Sequence, residues 1–188
     1  MFTIFRGGQS GAWRVTQLTP VKGAGLMRTP ALSSVSSASI ALPILPALTS
    51  WRVAGLASHV RYTERPEKDQ LASVQAKLGR PEATCAALIP IKKSAAWWEL
   101  TQEERRQIFE DKSHHIAASL KYLPAIARQL YHSRDLGEPF DFLTWFEFEP
   151  AHAEMFEELV GMLRATEEWN YVEREVDIRV ERERLDAG

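Results

Sequence analysis

Two histidines and one arginine lie close together in residues 112–128, KSHHIAASLKYLPAIAR, and these side chains could do chemistry. A neutral imidazole is a common metal ligand, and a guanidinium is a permanent cation that binds small anions. His114 and His115 fall within a predicted helix, whereas Arg128 follows Pro124 and enters the next predicted strand. The neighbouring residues are mostly apolar, namely Ile116, Ala117, Ala118, Leu120, Leu123 and Ile126. The segment therefore predicts a site that combines a metal ligand with a fixed cation.

Helical periodicity separates the two histidines. At about 100 degrees per residue, His114 and His115 project from neighbouring faces of the helix. His115 shares its face with Asp111, Lys112 and Ser119. We therefore expect at most one histidine to be a ligand. The alternative is that both are surface residues in the last part of a helix, where the helix dipole favours a cation.

A cation, two tryptophans and a carboxylate could surround such a ligand. Lys93, Trp97 and Trp98 follow a predicted strand, and their rings could line a pocket for a planar cofactor. Tryptophans are also ordinary core residues, so the pair by itself does not decide between the two roles. Glu168 lies between the last predicted helix and strand, where exposed charge is common. A histidine ligand needs such an acceptor for its second ring nitrogen.

Composition limits the class of protein. The chain has 188 residues, of which 45% are apolar and 26% charged, enough for a folded core in one compact unit or slightly more. Its formal charge of -2 provides no general attraction for nucleic acid or anionic lipid, so we expect neither as a partner. The single cysteine, Cys85, excludes an internal disulfide and a cysteine-based metal cluster.

Residues 28–52 are uncharged between Arg28 and Arg52 and contain the most apolar stretch of the N-terminal region. Its apolar part, residues 40–48, is short, contains Pro43 and Pro46, and has no basic leader. We therefore predict a loop there and no membrane span. The lack of a recognisable signal peptide favours the cytoplasm, a reducing compartment that suits one free cysteine.

The order of predicted elements indicates an α+β fold. In residues 1–80, two short strands joined by a glycine turn precede a strand at 53–62 and a helix that opens at Pro66 and carries Leu71, Val74 and Leu78. In residues 81–188, Thr101 and Glu104 form a capping box for a helix that continues to about Lys121. The other elements of this part are strands at 84–91, 126–132, 140–148 and 171–180 and a helix at 151–166.

This order, strand-helix-strand-strand-helix-strand, is typical of a ferredoxin-like unit with an antiparallel sheet and helices on one face. Alternation places Phe142, Thr144, Phe146 and Phe148 on one face of their strand. We predict a C-terminal ferredoxin-like domain at 81–188 and a shortened N-terminal half of the same kind at 1–80.

The runs KKSAAWWELTQEERRQIFEDKSHHIAASLKYLPAIARQLYHSRDLGEPFDFLTWFEF and RATEEWNYVEREVDIR resemble the chlorite dismutase family, in particular its short, dimeric branch. The resemblance covers about residues 53–179. It implies a dimeric α+β barrel with a truncated N-terminal half, a homodimer, and haem b in the C-terminal unit. The implied reaction converts chlorite, a small anion, into chloride and dioxygen.

The resemblance also implies roles on the two sides of the haem. On one side His115 is the axial ligand of the iron, Glu168 accepts the other imidazole proton, Lys93 joins that network, and Trp97 and Trp98 match the tryptophan pair of the family. On the other side Arg128 is the catalytic arginine, Thr144 and Phe146 line the pocket, and Gln75 steadies Arg128.

Other members of the wider fold remain alternatives. A coproheme decarboxylase shares the fold and the histidine but lacks the distal arginine, so Arg128 argues against it. A dye-decolourising peroxidase normally carries a Gly-x-x-Asp-Gly motif, which this sequence lacks. A haem-binding or sensing protein, or a barrel without a cofactor, would be distinguished by a Soret band and by oxygen release from chlorite.

Overall fold

In the computed structural model, which describes residues 2–38, 48–57 and 64–182, eight antiparallel strands close into one barrel. All eight strands belong to a single chain. They are β1 (Phe2–Gly8), β2 (Trp13–Lys22), β3 (Ala31–Ser37), β4 (Thr49–Ala57), β5 (Cys85–Lys93), β6 (Ala127–His132), β7 (Phe142–Phe148) and β8 (Val172–Glu181).

The barrel consists of two sets of four strands with the same order. Around the barrel the order is β1-β3-β2-β8-β5-β7-β6-β4. Within each set, the fourth strand lies beside the first, the first beside the third, and the third beside the second, which is the ferredoxin-like arrangement. The predicted antiparallel α+β class is confirmed. A domain boundary at residue 80 stays a prediction, because strands from both sides of it share the barrel interior.

The N-terminal set is shortened between its first two strands. Both predicted strands form, but β1 and β2 are not neighbours, since β3 lies between them. β2 pairs with β3 only at Trp13 and Arg14 and then runs on along β8. Because β2 starts on the other side of β3, level with the end of β1, residues 9–12 connect the two strands across the end of β3 and no helix is needed to return along the sheet.

Five α-helices accompany these strands in the described residues. They are α1 (Arg65–Val74), α2 (Ala95–Glu99), α3 (Gln102–Arg106), α4 (His115–Ser119) and α5 (Ala153–Arg164). A π-helical turn, Gln107–Lys112, follows α3, and short 3₁₀ turns span Leu120–Tyr122, Arg134–Leu136, Pro150–His152 and Glu167–Tyr171. Among the described residues, no helix combines the length and apolar composition needed to cross a membrane.

The predicted continuous helix from Thr101 to Lys121 is wrong in its middle. The Thr101–Glu104 capping box starts it as predicted. It then widens into the π-helical turn and stops at His114, whose φ of 49° places it in the left-handed region. A new helix, α4, starts at His115, and the carboxylate of Glu110 accepts hydrogen bonds from its free backbone N–H groups at Ile116 (2.7 Å) and Ala117 (3.1 Å).

Several other boundaries differ from the predictions. The strand β3 lies in the uncharged region where no strand was predicted, and most of the predicted loop at 40–48 lies outside the described residues. β4 starts at Thr49, earlier than residue 53, and residues 58–62 of the predicted strand also lie outside the described part. α1 ends at Val74, before Leu78. The strands β5, β6, β7 and β8 and the helix α5 confirm the predictions for the C-terminal part.

Two apolar cores share the strands of the C-terminal set. One fills the barrel and includes Leu88, Leu143 and Trp145. The other lies between the outer face of the sheet and the helices, and it includes Ile89, Phe146 and Leu159. Alternate residues of the same strands feed opposite cores, as the pleat of a strand requires.

Candidate functional site

A cavity lies between the outer face of β5, β7 and β6 and the helical segments that cross it. Its empty volume is about 1090 Å³, part of which is open to solvent. Three strands present alternate residues to it, namely Ile89, Ile91 and Lys93, then Phe142, Thr144 and Phe146, then Arg128, Leu130 and His132. The facing wall is apolar and comes from α4, α5 and the turn between α4 and β6, including Ile116, Leu123, Leu159, Val160 and Leu163.

His115 faces this cavity from the first turn of α4. Its Nδ1 lies 2.8 Å from Oε2 of Glu168, and its ring stacks on Phe109 with centroids 4.2 Å apart. Because Nδ1 is engaged by a carboxylate, Nε2 is the ring nitrogen that remains for a ligand. His114 is exposed and does not line the cavity. The structure therefore brings only one of the two histidines into the site.

Glu168 is buried behind His115 and paired with Lys93. Nζ of Lys93 lies 2.7 Å from Oε1 of Glu168, and both side chains are less than a tenth exposed. Burial by itself would raise the pKa of Glu168, but the charges of Lys93 and His115, with their hydrogen bonds, outweigh burial and lower that pKa to about 2. The carboxylate thus stays charged and keeps accepting from the imidazole.

The two tryptophans, Trp97 and Trp98, differ in whether they line the cavity. Trp97 is buried, lines the cavity and lies under the Lys93 ammonium, which is 4.6 Å from the ring centroid. Trp98 does not line the cavity. Its Nε1 donates to Asp141 (3.2 Å), its ring stacks on Phe142, and Arg134 lies 3.6 Å above it. Trp98 thus supports the strand behind the cavity wall.

Arg128 enters the cavity from β6, on the sheet wall. In the described residues its guanidinium has no hydrogen-bond or ion-pair partner, and burial lowers its pKa. Phe146 is its register partner on β7, and Thr144 lies one pair further along the same face. A cation without a counter-ion in an apolar cavity attracts a small anion.

Gln75 lies outside the cavity lining, with an exposed side chain just after α1. Its Nε2 donates to the backbone carbonyl of Arg128 at 2.8 Å. Gln75 thus contacts the backbone of Arg128 and not the guanidinium.

Three residues that shape the site were not identified from the sequence. Phe109 precedes His115 by six residues, which in a straight helix would place the two about 120 degrees apart around the axis. Glu110 caps α4, and Trp169 lies against Lys93 with the Nζ 5.5 Å from its ring centroid. Only the break at His114 brings Phe109 and Glu110 to α4, so sequence periodicity could not indicate them.

The donor set limits which metal could bind. Among residues 2–38, 48–57 and 64–182, no three His, Cys, Asp or Glu side chains form a metal-binding group. A metal bound by His115 would therefore have to carry most of its own ligands, as the iron of a porphyrin does.

Comparisons with known proteins identify relatives of the chain. The family model described as chlorite dismutase matches residues 43–183. A crystal structure of dimeric chlorite dismutases from Nitrobacter winogradskyi is 67% identical, covers 96% of this chain and 99% of that chain, and superposes with a TM-score of 0.89.

More distant relatives are matched over shorter parts. A chlorite dismutase from Candidatus Nitrospira defluvii, solved in complex with imidazole, is 30% identical with a TM-score of 0.58. That match covers 71% of this chain and 55% of that one. A curated chlorite dismutase from Ideonella dechloratans is 44% identical over 62 residues, which are 33% of this chain and 20% of that relative.

Proposed function

Because the chain belongs to the chlorite dismutase family, we propose that it converts chlorite into chloride and dioxygen with haem b bound in the cavity. One observation carries the proposal. A single cavity contains His115, whose Nδ1 is hydrogen-bonded to a charged carboxylate, and Arg128, a half-buried cation whose guanidinium has no partner among the described residues.

The residues of the cavity fit a haem. Its walls are largely apolar and only a few polar groups face into it, as is usual for sites that bind a large planar cofactor. Nε2 of His115 would bind the iron, and Trp97, Ile89 and Leu159 would contact the ring. Trp98 and Gln75 would act from behind this lining, the first through Phe142 and the second through the Arg128 backbone. When bound, haem b supplies an iron that accepts an oxygen atom from chlorite and returns it during formation of dioxygen.

Glu168 and Lys93 prepare the histidine for this chemistry. The carboxylate accepts a hydrogen bond from Nδ1–H of His115 and so makes Nε2 a stronger electron donor. Lys93 balances the charge of Glu168 in a place where water is excluded, so that the carboxylate can be buried and still ionised.

Arg128 acts on the anion. Its cation attracts chlorite into the apolar cavity, and it then holds the chlorine-containing anion that remains after the first oxygen atom has been transferred. Thr144 and Phe146 limit the space beside the guanidinium and restrict the entry of water. Retention keeps that anion, hypochlorite, close enough for the second oxygen atom to react before it escapes.

An oxygen electrode tests the proposal directly. Purified protein reconstituted with haem b should show a Soret band and release one dioxygen per chlorite consumed. Reconstituted protein that has the Soret band but releases no dioxygen would leave only a haem-binding role. Failure to bind haem would refute the proposed use of the cavity.

The assembly proposed is a homodimer. It is supported by the Nitrobacter winogradskyi relative, whose structure is described as dimeric and which is 67% identical. Light scattering during size-exclusion chromatography should give twice the chain mass of 21.3 kDa. A mass of one chain, or of five or six, would contradict the dimer.

The proposed location is the cytoplasm. Its support is the sequence, in which Cys85 is the single cysteine and is a free thiol in the structure. A reducing compartment keeps such a thiol reduced. Fractionation of cells that express the tagged chain would test this assignment.

A further inference from the structure

The ammonium of Lys93 is enclosed by two indole rings. Its Nζ lies 4.6 Å from the ring centroid of Trp97 and 5.5 Å from that of Trp169. Its charge partner, Glu168, lies 2.7 Å away. Indole faces attract cations, most strongly where water is excluded, so the two rings define where the ammonium can lie.

The Trp169 ring is itself held by a buried carboxylate. Its Nε1 donates to Oε2 of Glu175 at 2.8 Å. Glu175 is fully buried, and its other oxygen, Oε1, accepts from Nε of Arg164 at 2.8 Å. Arg164 also contacts Asp177 at 2.8 Å, which fixes the guanidinium from a second side. A continuous set of contacts thus leads from α5 to Lys93.

Burying these ionised side chains costs free energy that apolar packing would not. A buried ion pair loses the hydration of both charges, and apolar residues of similar volume usually stabilise a fold as well or better. Apolar residues could not set the orientation of the Trp169 ring. Glu175, held by Arg164, can do so because its carboxylate is a directional hydrogen-bond acceptor for Nε1 of Trp169. Glu175 lines the same cavity as His115, so this buried ion pair lies beside the site.

We propose that Trp169, oriented by Glu175, is a positioning residue for the axial histidine. It keeps the Lys93 ammonium against Glu168, and so it limits how much electron density Glu168 transfers to the His115 ring. The proposal rests on the proposed function in one respect, namely that His115 binds the iron of haem. Neither Trp169 nor Glu175 needs to touch the substrate.

The test compares Trp169→Leu with Lys93→Met in haem-loaded protein. Lys93→Met removes the positive charge near Glu168, so the imidazole donates more strongly and the ferric state is favoured. The midpoint potential should fall, and the ferrous iron–histidine stretching frequency should rise. Trp169→Leu should change both quantities in the same direction but less, and Trp169→Phe, which keeps a ring face, should change them least.

The double variant decides between positioning and simple packing. If Trp169 acts through Lys93, then adding Trp169→Leu to Lys93→Met should change neither quantity further. Full additivity of the two substitutions would overturn the proposal. So would wild-type values in Trp169→Leu. In Glu175→Gln the carboxylate charge that orders the ring is lost, and we expect a smaller change of the same sign.

A second tryptophan in the chain is a matched control. Trp145 is buried and its Nε1 donates to a buried carboxylate, Glu147, at 2.9 Å, but it packs inside the barrel. Trp145→Leu should destabilise the protein while leaving the midpoint potential and the stretching frequency of the folded holoprotein unchanged. Equal spectroscopic changes in Trp145→Leu and Trp169→Leu would show a general packing effect and would overturn the proposal.

The iron–histidine band distinguishes a wrong positioning role for Trp169 from a wrong proposed function. If wild-type protein lacks a histidine-bound haem, the iron–histidine band is absent from every variant, and both proposals fail. If wild type has the band and Trp169→Leu behaves like the Trp145 control, only the positioning role fails. Haem titration of each variant gives a further readout. We expect a loss of affinity for Trp169→Leu below the roughly 10-fold that removal of a direct partner of a ligand typically causes.

Discussion

The two faces of strand β7 are built from alternating residues of one short sequence, yet they end in opposite kinds of environment. On the inner face Leu143 and Trp145 are packed into the barrel, and the Trp145 indole is paired with Glu147. On the outer face Phe142, Thr144 and Phe146 border a cavity of about 1090 Å³. The same alternation of side chains along the strand produces both faces.

The difference lies in how polar groups are satisfied. The inner carboxylate of Glu147 accepts from Trp145 and from the backbone of Gly79 and so serves the fold. On the outer face, the contacts from Lys93 through Glu168 end at the free nitrogen of His115, and within the described ranges the guanidinium of Arg128 has no partner. Protein interiors are normally close-packed and paired, so an open volume with unused polar groups indicates a place for a ligand.

The largest expected effect is on the outer face, at His115. His115→Ala should lower haem affinity by more than the roughly 100-fold that loss of a hydrogen-bond partner of a ligand can cause, because the proposed ligand itself is removed. Titration with haem followed at the Soret band measures this. His114→Asn is the control, since asparagine tolerates the left-handed conformation at that position. Normal haem affinity in His115→Ala would place the ligand elsewhere and remove the contrast between the faces.

The next effect is at Arg128. Arg128→Ala should still bind haem, but kcat/KM for chlorite should fall by about 10²- to 10³-fold, as when one preorganised donor is lost. The variant should also bleach sooner during turnover, because hypochlorite escapes and attacks the protein and the haem. A hypochlorite trap should slow that bleaching. If the trap has no effect, Arg128 does not retain the anion. Arg128→Lys keeps a charge without the planar guanidinium, so its kcat/KM should lie between those of the wild type and Arg128→Ala.

Substitutions of two adjacent residues on β7 should affect different properties of the protein. Leu143 is fully buried in the barrel, and Leu143→Ala should lower the free energy of unfolding by about 2–5 kcal/mol. Oxygen yield per bound haem should not change. Thr144→Val, one residue away on the outer face, should lower the free energy of unfolding less than Leu143→Ala does. It should change kcat/KM for chlorite more. Urea denaturation and an oxygen electrode measure the two properties, and equal effects of both variants on either property would contradict the separation.

The smallest effect is expected at Gln75. Gln75→Ala removes one hydrogen bond to the carbonyl of Arg128 and should lower the free energy of unfolding by about 0.5–1.5 kcal/mol. Because the bond is to the backbone, kcat/KM should change far less than in Arg128→Ala. A loss of activity as large as that of Arg128→Ala would show that Gln75 controls the guanidinium itself.

Local sequence patterns predicted most of the C-terminal half. The capping residues Thr101 and Glu104 and the alternation of Phe142, Thr144 and Phe146 each act over a few residues, so they can be recognised without the fold. The N-terminal half was predicted less well. β3, ALSSVSS, is rich in serine and has little hydrophobic alternation, and it becomes a strand because β1 and β2 offer it backbone partners.

The break at His114 shows where local patterns stop being sufficient. Residues 102–121 have good helix formers and no glycine or proline, so a continuous helix is the local preference. Glu110 bonds to the start of α4, and Ser113 accepts the backbone N–H of Glu168 at 3.3 Å. Those contacts stabilise the left-handed residue and turn His115 toward Glu168.

From the sequence alone one could obtain the succession and faces of the C-terminal strands and, through a family resemblance, the histidine, arginine and carboxylate to consider. The positions of Trp98 and Gln75 behind the cavity lining, the stacking of Phe109 on His115, and the bond by which Glu175 holds the Trp169 ring near Lys93 could be seen only in the folded molecule. Strand and cap patterns depend on neighbours along the chain. These contacts join residues that are distant along the chain or separated by a helix break, so they exist only once the barrel has closed and the helices have packed against it.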